Sequence, residues 1–367
     1  MSRDRTPNCL IVGAGLIGLL TARELLAAGM AVSLVERGAT GRESSWAGGG
    51  ILSPLHPWRA PPAVTALASW SQAHYPQLAA ALLDETGIDP QWVRSGLLIL
   101  EPQEQEQALS WGRAAGQTVQ QVDAAACRQL APVLGFLPEQ ALWLPQVAQI
   151  RNPRLLKALR QSLVQQGLRI EQQTEVVEIL HQRGRVQGVR TPQGVLPAPR
   201  VVVASGAWSG PLLQQLGLSV AIEPVRGQML LFRMAPGLLA PILLQEAHYV
   251  IPRQDGHVLV GSTVEYSGFD KTPTQAAQEA LRQAAAHLVP ALEQCPLVAH
   301  WAGLRPGNSQ GVPLIGPVPG IDGLFVNSGH FRNGVGLGPA SARLLAAIIC
   351  QRTETIVDPA PYSLRHQ

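Results

Sequence analysis

Charge is scarce in this sequence: Asp, Glu, Lys and Arg make up 14% of its 367 residues, and the formal net charge is only +3. No lysine or arginine cluster marks a nucleic-acid face or an anchor for an anionic membrane, and Arg183 to Arg185 reads more simply as a hairpin tip. Cysteine is scarce too. Cys9, Cys127, Cys295 and Cys350 lie far apart with no C-x-x-C pair, which argues against zinc, iron–sulfur clusters and a disulfide framework and fits a reducing cytoplasm. Buried, inert thiols are expected at all four positions, and no metal set is expected anywhere. Internal repeats and low-complexity tracts are absent. The apolar run Leu10 to Leu20 follows a basic N-terminus, but Arg23 and Glu24 soon interrupt it and no cleavage pattern follows. Neither a signal peptide nor a membrane span is therefore expected. What remains is a chain that is 46% hydrophobic, ample for a large core, and long enough that two domains are the expectation.

The rest of the chain is organised around Asn8 to Arg37. Cys9 to Val12 is a short apolar run of the kind a strand buried on both faces needs, and Gly13-Ala14-Gly15-Leu16-Ile17-Gly18 supplies G-x-G-x-x-G directly after it. Gly13 permits the tight turn, Gly15 lets backbone N–H groups approach a pyrophosphate, and Gly18 lets the next helix lie flat on the sheet. The phosphates would sit at that helix's positive N-terminus. Leu19, Ala22, Leu25 and Leu26 continue the helix at spacings of three and four, and Gly29 ends it. Ala31 to Val35 reads as the second strand. Glu36 closes it about 20 residues beyond the glycines, where a carboxylate accepts hydrogen bonds from a ribose diol.

Gly38 to Leu52 carries Ser44, Ser45 and the triple Gly48-Gly49-Gly50, poor material for helix or strand but suited to backbone passing close to a flat cofactor. Pro61 to Gly87 has a long helical pattern, expected to break or kink near Pro76. Gly96 to Glu101 is an expected strand, and helices are expected at Gln103 to Ala115, Ala124 to Leu130 and Pro153 to Gln166. Leu168 to Glu171 and Thr174 to Leu180 read as strands, the second entering a hairpin through Arg183-Gly184. Val201 to Val203 is an apolar strand ending in the small-residue turn Ala204 to Ser209. From Ile222 onward Val225 to Phe232, His248 to Pro252 and Val258 to Gly261 alternate as strands, with a helix at Thr274 to His287. This block reads as an antiparallel sheet with a helix, inserted into the first domain. Gly323 to Pro339 is strand, polar turn and entry to a last helix whose dipole would favour negative charge in the turn.

With these pieces in order, the chain resembles the D-amino acid oxidase family of FAD enzymes, most closely its glycine oxidases of thiamine biosynthesis. The segments SSWAGGGILSP, VVVASGAWSG, HYVIPR, WAGLRPG and GHFRNGVGLGPASA carry the resemblance, which covers nearly the whole length. It implies an α/β fold with a Rossmann-like, glutathione-reductase-like FAD-binding domain and an inserted α+β antiparallel-sheet substrate domain. The expected division is 1–85, 145–220 and 303–367 for the former, 86–144 and 221–302 for the latter. The resemblance also implies noncovalent FAD held by Leu16 and Ile17 in the glycine turn, by Glu36 and Arg37, and by Ser44, Ser45, Gly49, Gly50 and Ile51. Val176 would meet the adenine side. His330, Phe331, Arg332, Asn333, Gly334, Val335 and Gly336 would wrap the isoalloxazine end. No cysteine lies between Trp301 and Pro339, so a covalent tether of the sarcosine-oxidase kind is not expected.

An oxidase of this kind must hold its substrate's carboxylate so that the Cα–H faces the flavin, and the cofactor carries the difficult chemistry. Arg305 is the first choice for the carboxylate partner, since a guanidinium matches carboxylate geometry and stays charged. Arg332 and Tyr249 are further candidates, with Ile51 and Val264 narrowing the cavity over the substrate side chain. His330 is expected to be a structural turn residue rather than a base. The resemblance implies oxidative deamination of glycine, sarcosine or a small D-amino acid, with dioxygen taking the electrons to give hydrogen peroxide, and glyoxylate and ammonia as products. It further implies a cytoplasmic homotetramer that could pass glycine imine to a thiazole synthase. Two rival readings stay open on the residues alone: a D-amino acid dehydrogenase serving a quinone, and a non-catalytic flavoprotein subunit.

Overall fold

A computed structural model describes residues 6–364, with strands and helices numbered here in chain order. The apolar run at the start of the chain becomes β1 (Cys9–Val12), buried at every residue as a strand covered on both faces must be. In parallel beside it lie β2 (Val32–Val35) with β6 (Arg169–Glu171) on one side and β10 (Val201–Val203) with β17 (Leu324–Ser328) on the other. β16 (Leu314–Pro317) closes that edge antiparallel to β17, completing a six-stranded sheet. Alternate residues of β1 divide between two cores. Cys9 and Ile11 join the helical side, with α1 (Leu16–Ala27), α3 (Pro62–Thr86), α6 (Asn152–Gln165) and α9 (Gly334–Ile349). Leu10 and Val12 face the other core, with the three-stranded meander β7 (Glu178–Gln182), β8 (Arg185–Thr191) and β9 (Gly194–Pro197) and with α7 (Ser209–Gln214).

The second sheet has eight strands in the order β15, β11, β14, β13, β12, β3, β5, β4. These are β3 (Leu97–Leu100), β4 (Gln120–Asp123), β5 (Gln140–Leu144), β11 (Ile222–Arg233), β12 (Ile242–Gln245), β13 (His248–Pro252), β14 (His257–Gly261) and β15 (Leu297–Asn308). Here too the pleat sorts side chains. Val250 of β13 points into a core that includes Leu281 of α8 (Gln275–Leu288) and Cys127 of α5 (Ala124–Leu130). Its neighbours Tyr249 and Ile251 point the other way, with Met229 and a packed Ile51. α4 (Gln105–Ala115) contributes Ala108 to that same side.

Several expectations need correction. The sheet is mixed, not purely antiparallel, because β12 runs parallel to β3. Ser44–Ala47 forms a short helix, α2, where serine and glycine content argued against one; Asn152 Nδ2 ties down its Ser45 and Gly48 carbonyls at 2.9 and 3.0 Å. α3 runs unbroken past Pro76, since Val64, Leu67, Tyr75 and Leu82 bury one side of it against the core. β7 begins at Glu178, later than Thr174. Cys295 and Cys350 are half-buried, so only Cys9 and Cys127 are fully enclosed. β15 runs continuously from Leu297 to Asn308, through the domain border expected at 302/303. Among the described residues no helix is long and apolar enough to cross a membrane, and no cluster of metal-ligating side chains occurs.

Candidate active site

One long cleft takes residues from both sheets. At its first end the β1–α1 turn is shut to side chains: Gly13 has φ +107°, and a Cβ there would come within 2.5 Å of the Ala204 carbonyl oxygen. Gly18 serves the same turn from behind the cleft wall, where a Cβ would lie 1.9 Å from the Gly13 carbonyl oxygen. Glu36 faces the cleft from the end of β2 and is 9% exposed. Its two oxygens accept from Ala14 N at 2.8 Å and Gly38 N at 3.0 Å, which fixes the carboxylate while leaving it further lone pairs. Leu16 N donates to Ser45 Oγ at 2.9 Å, so Ser45 caps the first turn of α1, and Ile17 beside it lines the cleft. Arg37 pairs with Glu43 at 3.0 Å and lies 3.5 Å from the centroid of the Trp208 ring. Val176, Ser44, Gly15 and Ser205 complete this end.

The other end lies against the second sheet. Gly49, Gly50 and Ile51 pass between the two sheets, and a Cβ on Gly49 would meet Ile251 Cδ1 at 2.6 Å. Tyr249 is 8% exposed and its hydroxyl donates to Met229 Sδ at 3.3 Å. Arg305 projects from β15. Its Nη1 donates to the carbonyl oxygens of Thr263 (3.0 Å) and Arg226 (3.3 Å), and Nη2 to Ser262 Oγ at 2.7 Å. Burial lowers its pKa from the ordinary arginine value; neighbouring Arg332 adds to the fall, and Tyr249 and Glu265 oppose it. Arg332 lines the same end from an exposed position, in a turn held by Phe331 N donating to the Pro306 carbonyl oxygen at 2.9 Å. Phe331 adopts φ +46°, and Asn333, Gly334 and Val335 lead from it into α9. The Tyr75 hydroxyl donates to the Val335 carbonyl oxygen at 2.5 Å, which locks the start of α9 to α3.

Val264 and Gly336, both expected at the site, fall elsewhere. Val264 is 41% exposed and lies off the cleft: Gln228 N donates to Thr263 Oγ1, and Arg226 pairs with Glu265, which turns both neighbours inward and Val264 outward. Gly336 packs behind the wall, where a Cβ would sit 3.6 Å from Ser53 N. His330 does face the cleft, but its Nε2 is engaged with Ser341 Oγ at 2.9 Å and burial pushes its pKa down to about 3. A neutral imidazole tied to Ser341 agrees with the structural turn residue expected at this position. Conversely, Met229 and Gly227 line the substrate-side wall, and no periodicity or motif marks them out.

The family described as FAD dependent oxidoreductase matches residues 8–348. The chain belongs to that family. It is 53% identical over 355 residues to a glycine oxidase of Pseudomonas aeruginosa, covering 96% of this chain and 97% of the relative. The crystal structure of glycine oxidase from Geobacillus kaustophilus is similar at TM-score 0.93 and 32% identity, over 98% of this chain and 99% of that one. A bifunctional protein ThiO/ThiG of Trichormus variabilis is 30% identical over 365 residues, which is 98% of this chain and 55% of the longer relative.

As a member of the FAD-dependent oxidoreductases the chain uses FAD, and the cleft's donor set fits it. Glu36 offers a fixed acceptor for a ribose diol, the glycine turn and α1 offer bare amides to a pyrophosphate, and the start of α9 offers amides and positive dipole at the far end. Asn327 also reaches the cleft, and its Oδ1 is buried without a partner. No cysteine lines the cleft.

Proposed function

We propose that this chain is a glycine oxidase: it oxidises glycine, and with it sarcosine and small D-amino acids, to the imine that water converts to glyoxylate and ammonia. Bound FAD supplies the two-electron acceptor and returns those electrons to dioxygen as hydrogen peroxide. The observation that carries the reading is Arg305, a largely enclosed guanidinium that lines the cleft with Tyr249 and is held by neutral oxygens alone. Its fork would take the substrate carboxylate in two parallel bonds, with the Tyr249 hydroxyl and Arg332 supporting the same group. Ile51 and Met229 crowd the space above, so a substrate with little or no side chain fits best. The names of the full-length relatives support glycine as substrate.

The same reading includes a cytoplasmic homotetramer and hand-over of the imine to a thiazole synthase. The bifunctional relative, in which the matched part is joined to a comparable length of further chain, supports such a hand-over. The test is anaerobic mixing of the holoenzyme with glycine, followed through the visible flavin absorbance, and then admission of air. Bleaching with return of colour and peroxide on aeration is expected. Bleaching without rapid reoxidation would move the chain to the dehydrogenases. Failure to bleach with glycine, sarcosine or any D-amino acid would leave only a scaffold role.

A further inference from the structure

Arg253, one residue beyond β13, is a buried guanidinium without an acid. Its Nη1 donates to Gln149 Oε1 (2.6 Å) and to the Ile150 carbonyl oxygen (3.1 Å), and its Nη2 donates to the Gly49 carbonyl oxygen at 2.8 Å. Its Nε is buried with no partner. Among the described residues no carboxylate forms an ion pair with it, for Asp255 is committed to Arg151 at 2.6 Å and to His257 at 3.0 Å. Burial, then the nearby Arg151, lowers its pKa to about 9, so it stays a cation at neutral pH. An uncompensated buried charge is costly, and folds keep one where a negative charge is to be met.

The contact with Gly49 says where. Gly49 and Gly50 wall the cleft next to Tyr249, at the end where Arg305 stands. A trans peptide sets its C=O and N–H in opposite directions. With the Gly49 oxygen turned back to Arg253, the Gly50 N–H of the same peptide is turned away from it; Gly50 lines the cleft, and its N–H has no acceptor among the described residues. The Gly50 carbonyl, in the next peptide along, accepts from Ile150 N at 2.8 Å, so the backbone is also tied down immediately after the Gly49–Gly50 peptide. A guanidinium on the carbonyl polarises the peptide and strengthens that N–H as a donor.

We propose that Arg253 is a positioning residue for the redox end of the FAD site, fixing the Gly49–Gly50 peptide as a donor and supplying the positive charge that makes bound FAD easier to reduce. The inference rests on the flavoenzyme reading, with the reactive ring at the Tyr249 end. Uptake of two electrons and one proton adds one negative charge to the cofactor; the electrons come from the amine in turnover, or from a chemical reductant in the test. A fixed cation and an aimed N–H both stabilise that added charge.

The experiment compares the two-electron midpoint potential of FAD-loaded wild type, Arg253→Gln and Arg253→Lys, by equilibration with a reference dye and no amino acid present. FAD affinity is measured in parallel. Arg253→Gln keeps a donor but loses the charge, and is expected to make reduction ten- to a hundredfold less favourable, a fall of about 30 to 60 mV at about 30 mV per tenfold for two electrons. Arg253→Lys keeps the charge and is expected to stay within about threefold of wild type. An unchanged potential in flavin-bound Arg253→Gln overturns the proposal, as does loss of folding or of flavin binding in both variants, which would make Arg253 architectural only. Because no amino acid enters the measurement, an error in the assignment of glycine leaves the outcome intact and is detected separately by the bleaching test.

Discussion

Arg305 donates from Nη1 to the Thr263 carbonyl oxygen at 3.0 Å, and that bond orients its fork without neutralising it. Glu265, whose field reaches Arg305, is bonded instead to Arg226 at 2.6 Å. That ion pair, together with backbone bonds from Arg226 N to the Glu265 oxygen and from Glu265 N back, holds the 262–265 segment against β11. Arg305 is thereby presented to the cleft by dipoles, with its full charge available to a ligand.

Arg305→Lys should therefore cost the enzyme its hold on the substrate. An ammonium makes no bidentate pair, and truncating one member of a buried charge pair costs about 3 kcal/mol, roughly a hundredfold in kcat/KM. Steady-state kinetics with glycine should place most of that loss in KM. FAD content should stay at the wild-type level, which separates a substrate role from a structural one.

The parts of this site visible in the sequence were those built by local rules. The β1–α1 turn shows because its glycines answer to steric demands within six residues, and Glu36 because a strand of known length delivers it to the turn. Arg305 and Tyr249 stand out only through the family resemblance. The parallel pairing of β12 with β3 joins residues about 145 positions apart and leaves no local pattern. α2 exists because Asn152 and Arg253, both distant in sequence, hold the carbonyls around it. Val264 matches a cavity position of the family by motif, whereas its orientation is decided by the neighbours on either side that bond inward. Arg253 ends the segment HYVIPR, but nothing in that pattern reveals that its side chain is buried without an acid.

Glu36→Ala should weaken FAD binding. It deletes the acceptor offered to the ribose and also strands the buried Ala14 amide. A lost hydrogen bond to a charged group costs about 1.5–3 kcal/mol, so fluorescence titration should find the Kd for FAD raised roughly ten- to a hundredfold. With FAD in saturating excess, the KM for glycine should be unchanged.

His330 makes stability depend on pH. Its pKa is about 3 in the fold against about 6.5 in the unfolded chain, so between those values the unfolded state binds the extra proton. Stability is then fully present above about pH 6.5 and declines as pH falls toward 3, by up to about 1.4 kcal/mol per unit from this group. His56, lowered to about 4 by burial and then by Arg59, adds the same sign over a narrower window. Urea unfolding at pH 7, 6 and 5 should show the decline, and His330→Gln, which can still reach Ser341, should flatten part of it. An equal decline in the variant would assign the effect to other groups.

Gly227 tests the geometry of the clamp without touching its charge. It pairs with Gly303 across β11 and β15, and a Cβ placed on it would come within 2.2 Å of both Arg305 Nη atoms. The Arg305 side chain is the far end of a flexible stem, so Gly227→Ala should displace the guanidinium rather than break the strand pairing. Overpacking of this size costs about 1–3 kcal/mol, and here it should appear as a ten- to hundredfold loss in kcat/KM for glycine, with a small shift in Tm. Both substitutions would act through the same fork, so the losses in the double variant with Arg305→Lys should fall well short of additive. Additive losses would mean that Gly227 and Arg305 act on the substrate independently, and the clamp would have to be sought elsewhere in the cleft.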